Sequence, residues 1–223
     1  MIEMLPVIPV LLFSVIIHEI AHGWMALRLG DRTAKDLGRL TLNPLPHIDP
    51  VGSVLVPLMS LAAAGHVFIA WAKPVPVNPM NFHNPRRDSV LVSAVGPAAN
   101  FLLALLCGIA VIGTGAARAA LVGTSSGLPG QIMQFLLTMF YGGMYINVVL
   151  GLFNLIPLPP LDGSHILAAM LPPRAAAAYM KIGFFGVLVV LFAMRMPSVS
   201  NAFSAVIDGA FSPYRALVDL FLK

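Results

Sequence analysis

LPVIPVLLFSVIIHEIAHGWMALRL, residues 5–29, is an apolar run long enough to cross a bilayer, yet its C-terminal half carries His18, Glu19 and His22. A helical span needs about 20 predominantly apolar residues. An ionisable side chain at mid-membrane costs ~2.5 to 3.5 kcal/mol on insertion scales and is ordinarily kept for function. The chain has only six His and two Glu in 223 residues. A chance His-Glu-x-x-His would then arise on the order of once in a thousand chains of this composition. The competing structural reading is a hydrogen-bonded pair of core histidines beside a helix-end glutamate.

On a helix, positions i and i+4 share one face about 6 Å apart along the axis, so His18 and His22 can both offer an imidazole nitrogen to one tetrahedral ion. Glu19 lies about 100° around from His18, placed to reach a water on that ion without displacing it. In hydrolytic sites of this kind zinc lowers the pKa of its water to about 7 and the carboxylate takes the proton. Two ligands and a base are thereby accounted for, and a third ligand must come from elsewhere.

Composition identifies the solvent. Hydrophobic residues make up 58% of the chain and charged residues 10%, with a mean hydropathy of +0.89, against roughly 25% charge in a soluble domain. This is an all-α polytopic membrane protein. The net charge of +4 is spread through loops, which fits positive-inside topology better than a polyanion partner. The single Cys107 lies in an apolar run, which excludes an intramolecular disulfide and a Cys-rich metal site. The N-terminus opens Met-Ile-Glu-Met without a basic n-region, and its apolar run continues through the histidines, so it is read as a retained anchor and not a cleaved signal.

Further apolar runs span Ser89 to Gly113, Gln131 to Leu155 and Ala175 to Met194. Val51 to Trp71 is interrupted by Pro57 and Gly65, and Asn201 to Leu222 carries Asp208, Arg215 and Asp219, as an interfacial helix would. The chain is expected to form a single integral membrane domain over 1–223, with a three-helix catalytic core at about 4–170 and a fourth transmembrane helix.

Among the acids, Asp162 is the candidate third ligand. It follows the third long run in NLIPLPPLDG, residues 154–163, where Pro157, Pro159 and Pro160 must break the helix. Irregular backbone at membrane depth is tolerated only where protein buries it or it lines a cavity. The alternative is an ordinary proline-rich loop whose aspartate caps the next helix.

Together these stretches resemble the site-2 protease family of intramembrane zinc metalloproteases. HEIAH at 18–22 is similar to its first motif, GPAAN at 96–100 to the start of its central helix, and 154–163 to its Asp-Gly motif, in family order over most of residues 10–170. The resemblance implies that His18, His22 and Asp162 hold one Zn2+, that Glu19 is the catalytic base, and that the substrate is a membrane protein with a transmembrane helix. It implies a multi-pass cell-membrane protein of bacterial inner-membrane type. No PDZ or CBS module is recognisable.

Asp162 can meet the histidines only if both lie toward one membrane face. Val51 to Trp71 is therefore expected to be a re-entrant hairpin, and a full span there would strand Asp162 on the far side. The flanking Arg28, Arg32, Lys35, Arg39, Lys73, Arg86 and Arg87 place that face in the cytoplasm. Residues 38–43 and 71–77 have β character and could offer an edge strand to an unwound substrate, or be ordinary interfacial loops. Asn100 and Asn154 are candidates for holding substrate or an oxyanion, or for joining helices. His165 is a candidate to support the metal ligands. Two His and a carboxylate also suit iron. A metal transporter or sensor, or a catalytically silent scaffold, are the alternative functions.

Overall fold

A computed structural model describes residues 6–56, 58–59, 71–120 and 127–222. Its helices are α1 (Val7–Arg28), α2 (Thr33–Asp36), α3 (Pro85–Ala120), α4 (Leu128–Asn154), α5 (Asp162–Met170), α6 (Pro173–Met180), α7 (Phe185–Ala193) and α8 (Pro197–Phe221). Helices α1, α3 and α4 are each long and apolar enough to cross a membrane, where the three longest apolar runs of the core are.

Contacts along these helices give their directions. His18 meets Asn100 and His22 meets Val92, so α1 and α3 are antiparallel. Phe101 fits against Gly151 and Met144 against Gly108, which makes α3 and α4 antiparallel too. Val7, Val10 and Ser14 reach Gly142, Gly143 and Asn147, so α1 and α4 run parallel. The core joins Ala104, Cys107 and Val111 of α3 to Met144 and Val148 of α4 and Phe211 and Val218 of α8. Cys107 is a core side chain.

Helix α3 has 36 residues, about 54 Å at 1.5 Å per residue, well beyond the ~30 Å hydrocarbon layer. Its first turn, opened by Pro85 at a position that needs no N–H, extends to hold α5. There the Arg86 guanidinium donates to the carbonyls of Ala169 and Leu171 at the end of that helix.

Of the Val51 to Trp71 stretch, residues 57 and 60–70 lie outside the described residues. Its two ends are bonded together: Trp71 N–H donates to the Gly52 carbonyl at 3.1 Å and the Ser53 hydroxyl to the Trp71 carbonyl at 2.8 Å. The Trp71 indole lies against Gly52, where any side chain would collide with it. A bilayer-spanning segment would part these ends by some 30 Å. The two ends of the stretch therefore lie on one side, which is what a re-entrant segment requires and a full span does not allow.

The expectation of a short β region needs correcting, because no strand occurs among the described residues. Residues 71–78 are extended but join no ladder; Pro74 and Pro76 have no N–H to contribute to one. Residues 38–43 form a turn and bends, with Gly38 at a φ of +66°. The expected fourth span is α6 and α7, bent by 74° at their junction, where Gly183 adopts a φ of +50°. Helix α8 is amphipathic as expected. Ile207, Phe211 and Val218 are buried while Asp208, Arg215 and Asp219 are exposed, and the Tyr214 hydroxyl donates to the Phe101 carbonyl at 3.2 Å.

Beyond the end of α1, Asp31 is fully buried and accepts from Thr33 N–H and Oγ1 at 3.1 and 2.5 Å, Asn78 N–H at 2.7 Å and Asn81 Nδ2 at 2.8 Å. Burial opposes its ionisation, but these donors prevail and hold its pKa below the usual aspartate value. The stabilisation is therefore complete above the ordinary carboxylate range near pH 4 and is lost as pH falls through the lowered value. Thermal unfolding in detergent should show Asp31→Asn melting lower than wild type at pH 7, by on the order of 5 °C. The gap should close progressively below about pH 4; a gap independent of pH would show that the carboxylate charge contributes nothing.

Candidate metal centre

Helix α1 presents Ser14, His18, His22 and Ala26 as buried residues spaced four apart, a stripe on one face. Opposite it on α3 is Gly96. A Cβ there would lie 2.7 Å from His18 Cε1 and closer still to the His22 ring. The glycine is thus what lets two imidazoles stand between two helices.

Hydrogen bonds decide which nitrogen each imidazole offers. His22 Nδ1 is 2.6 Å from the Val92 carbonyl, which can only accept, so Nδ1 carries the proton. The His18 proton is placed through Asn147 and Asn100. Asn147 Nδ2 lies 2.9 Å from the Gly143 carbonyl, fixing that amide's orientation, and also donates to Ser14 Oγ at 2.8 Å; the Ser14 hydroxyl donates in turn to the Val10 carbonyl at 2.7 Å. Asn147 Oδ1 therefore faces Asn100 Nδ2 at 2.9 Å. Asn100 in turn presents Oδ1 to His18 Nδ1 at 2.6 Å, so that nitrogen too holds the proton. Both Nε2 atoms are left with free lone pairs.

These lone pairs converge on a third. His18 Nε2 and His22 Nε2 are 3.0 Å apart, and Asp162 Oδ2 lies 3.1 and 3.3 Å from them. Asp162 Oδ2 is buried and has no hydrogen-bond partner among the described residues, although a buried acceptor is normally satisfied. Three facing acceptors without a proton repel one another unless a cation lies between them. A tetrahedral ion with bonds of 2.0–2.1 Å sets its ligand atoms about 3.3 Å apart, so the donor set and spacing fit zinc.

Asp162 is delivered by the broken backbone after α4. Turns close through Leu158 N–H to the Ile156 carbonyl at 2.8 Å and Leu161 N–H to the Leu158 carbonyl at 3.0 Å, and α5 begins at Asp162. Gly163 follows because its Cα lies against the Leu155 carbonyl, leaving no room for a Cβ. Glu19 makes no hydrogen bond to the trio among the described residues. Its Oε2 accepts from the Val75 N–H at 2.7 Å.

The other candidates fall in different places. Asn100 is fully buried between His18 and Asn147, whereas Asn154 is half-buried and donates to the Leu150 carbonyl at 3.0 Å. His165 makes no hydrogen bond to the trio among the described residues. Sequence reasoning missed Asn147, although a lone amide within an apolar span signals a role. It also missed Ser14 and the Val92 and Val75 main-chain groups; backbone partners leave no trace in residue identity.

Comparison with known proteins agrees with this geometry. The family model of peptidase family M50 matches residues 117–193, the part holding Asn154 and Asp162. "Putative zinc metalloprotease YwhC" of Bacillus subtilis is 39% identical over 188 residues, covering 84% of this chain and 78% of that protein. "Putative zinc metalloprotease Rip2" of Mycolicibacterium smegmatis is 29% identical over 196 residues, 86% of this chain and 67% of that protein. Rip2 of Mycobacterium tuberculosis is 28% identical over 200 residues, 90% and 70% of the two chains. No solved structure matches the chain. A relative of such identity across most of both sequences settles the family: the chain belongs to peptidase family M50, the site-2 proteases that its motifs resemble.

Proposed function

We propose that His18, His22 and Asp162 hold the zinc ion of an intramembrane metalloprotease and that Glu19 is its general base, acting on peptide bonds in or near transmembrane segments of membrane proteins. The observation that carries this reading is the meeting of three unprotonated donor atoms 3.0–3.3 Å apart at the C-terminal end of a membrane helix. Bound there, zinc supplies the Lewis acidity that makes water nucleophilic near neutral pH and polarises a peptide carbonyl. Val92 and the Asn100–Asn147 pair hold the two imidazoles in the tautomer that faces the ion. Glu19 takes the proton of the attacking water at its carboxylate and returns it to the departing amine. Asn154, half-buried before the helix break, is the candidate to hold substrate backbone or a developing oxyanion.

Arg28 ends α1 and Arg32, Lys35 and Arg39 follow it, while Lys73 precedes α3 and Arg86 and Arg87 lie in its first turn, which supports a cytoplasmic position for this end of the site in a bacterial inner membrane. An apolar cleft of about 580 Å³ bounded by Ile156, Leu158, Val190, Met194 and Phe203 opens beside the loop that carries Asp162, as suits a site fed from lipid. Transport or sensing is less well supported. Among the described residues the trio is the one cluster of His, Cys, Asp or Glu able to share an ion, whereas a transit path needs successive sites.

Glu19→Gln should lower cleavage of a single-span substrate by ~10²- to 10⁴-fold while zinc content, read by atomic absorption, stays at one ion per chain; undiminished cleavage would remove Glu19 from the mechanism. Asn147→Leu touches no ligand, yet it frees Asn100 to turn and His18 to change tautomer. Competition with a chelator should show zinc affinity weaker by roughly 10- to 100-fold, and an unchanged affinity would mean that the tautomer is fixed without Asn147.

A further inference from the structure

Segment 73–78 crosses α1 at the level of the site, and among the described residues three side chains from outside it hold its main chain, besides the bond from Lys73 N–H to the His47 carbonyl at 2.9 Å. Arg39 Nη2 donates to the Lys73 carbonyl at 2.7 Å, the Glu19 carboxylate accepts from Val75 N–H at 2.7 Å, and the Asp31 carboxylate accepts from Asn78 N–H at 2.7 Å. Arg39 and Asp31 are both buried, and burying charge is costly unless it secures something. What lies midway between their two anchors is the bond to Glu19.

The sequence of the segment, Lys73-Pro-Val-Pro-Val77, suits one task. Prolines at 74 and 76 have no N–H, so Val75 is the only backbone donor between Lys73 and Val77. The residue before a proline is confined to extended conformations, so Pro76 fixes the direction of Val75. On α1 the Val75 side chain fills the space left by Gly23, where a Cβ would lie 2.8 Å from Val75 Cγ1. Gly23 is one helical turn beyond Glu19. Sequence, packing and anchors all direct a single N–H at a single carboxylate oxygen.

We infer that segment 73–78 is a strap that positions the general base, with the Val75 N–H clamping Glu19 Oε2 so that Oε1 is held toward the attacking water. The inference rests on the proposed role of Glu19. A carboxylate at the end of an unrestrained side chain samples several rotamers, and a misplacement of about 1 Å in a reacting group can cost on the order of a hundredfold in rate. Val75 is a positioning residue, acting through Glu19 by its main-chain N–H.

Val75→Pro removes the N–H while keeping the extended backbone that its neighbours already impose. With zinc-loaded protein in dodecylmaltoside and a fluorophore–quencher single-span peptide of leucine and alanine with a central Asn-Pro break as probe, kcat should fall on the order of a hundredfold. KM and zinc content should not change. A wild-type or raised kcat in Val75→Pro, or a loss of zinc alongside the loss of rate, would overturn the inference. The second readout needs no turnover and no variant of the strap: amide hydrogen exchange by NMR on valine- and asparagine-labelled protein. The Val75 amide should exchange slowly in wild type and at least about tenfold faster in Glu19→Ala, while the Asn78 amide, held by Asp31, stays protected in both. Equal exchange of Val75 in the two proteins would equally overturn it. Glu19→Gln run beside these separates the two failures. If it cleaves like wild type, the base assignment has failed; if it is inactive while Val75→Pro is not impaired, the strap has failed.

Discussion

Three lone pairs facing one another within 3.3 Å, in a protein interior within a membrane, are the constraint on which the rest of the structure depends. Without a cation such a cluster is repulsive, and with one it joins α1 to the broken backbone after α4. The helix interfaces are organised to permit it. Gly96 removes the side chain that would occupy the imidazole positions, and Gly163 removes the one that would push Asp162 off the Leu155 carbonyl. The amides of Asn100 and Asn147, costly inside an apolar bundle, are satisfied through a series that ends on the fixed Gly143 carbonyl. A polar network in low dielectric is tolerated when every member has its partner.

The same constraint sets the topology. Asp162 reaches the histidines only if α3 and α4 together carry the chain out and back, and that requires residues 51–71 to return to their own side. The main-chain bond between Gly52 and Trp71 and the Ser53 hydroxyl on the Trp71 carbonyl hold the two ends of that stretch together, as the metal site requires. Trp71 also stacks edge-on against Phe184 with centroids 5.5 Å apart, which ties the base of the excursion to the bend between α6 and α7.

Legibility followed the reach of each signal. The spans α1, α3 and α4 could be read because twenty or so apolar residues leave few alternatives. His18, His22 and Asp162 could be read because ionisable residues in such runs are rare, and the structure brings all three together. The break in the fourth run was only weakly signalled, by Lys181 and Gly183 within Ala175 to Met194, and the conformation at Gly183 accompanies the 74° bend. The β expectation at 71–77 weighed valines over prolines; the missing N–H groups at 74 and 76 were the better guide. Asn147 drew no attention because its meaning lies in Asn100 and Gly143, residues distant in sequence or represented only by main chain.

His18 and Glu19 are adjacent in sequence, about 100° apart around one helix, and they are restrained by unrelated parts of the molecule. His18 is fixed from the bundle side by α3 and α4, with every polar contact inside the membrane domain. Glu19 is fixed from the other side by the strap, whose anchors Arg39 and Asp31 stand beyond the end of α1. On the proposed roles, a metal and its base need independent control, since the ligands must stay rigid while the Glu19 carboxylate exchanges a proton with water and with a leaving group. One helix placed between two supports provides that separation: the bundle holds the ligand set regardless of what happens at the strap, and the strap can aim the base without straining a ligand. Loss of either support should therefore be distinguishable, the first as a change in metal binding and the second as a change in rate alone.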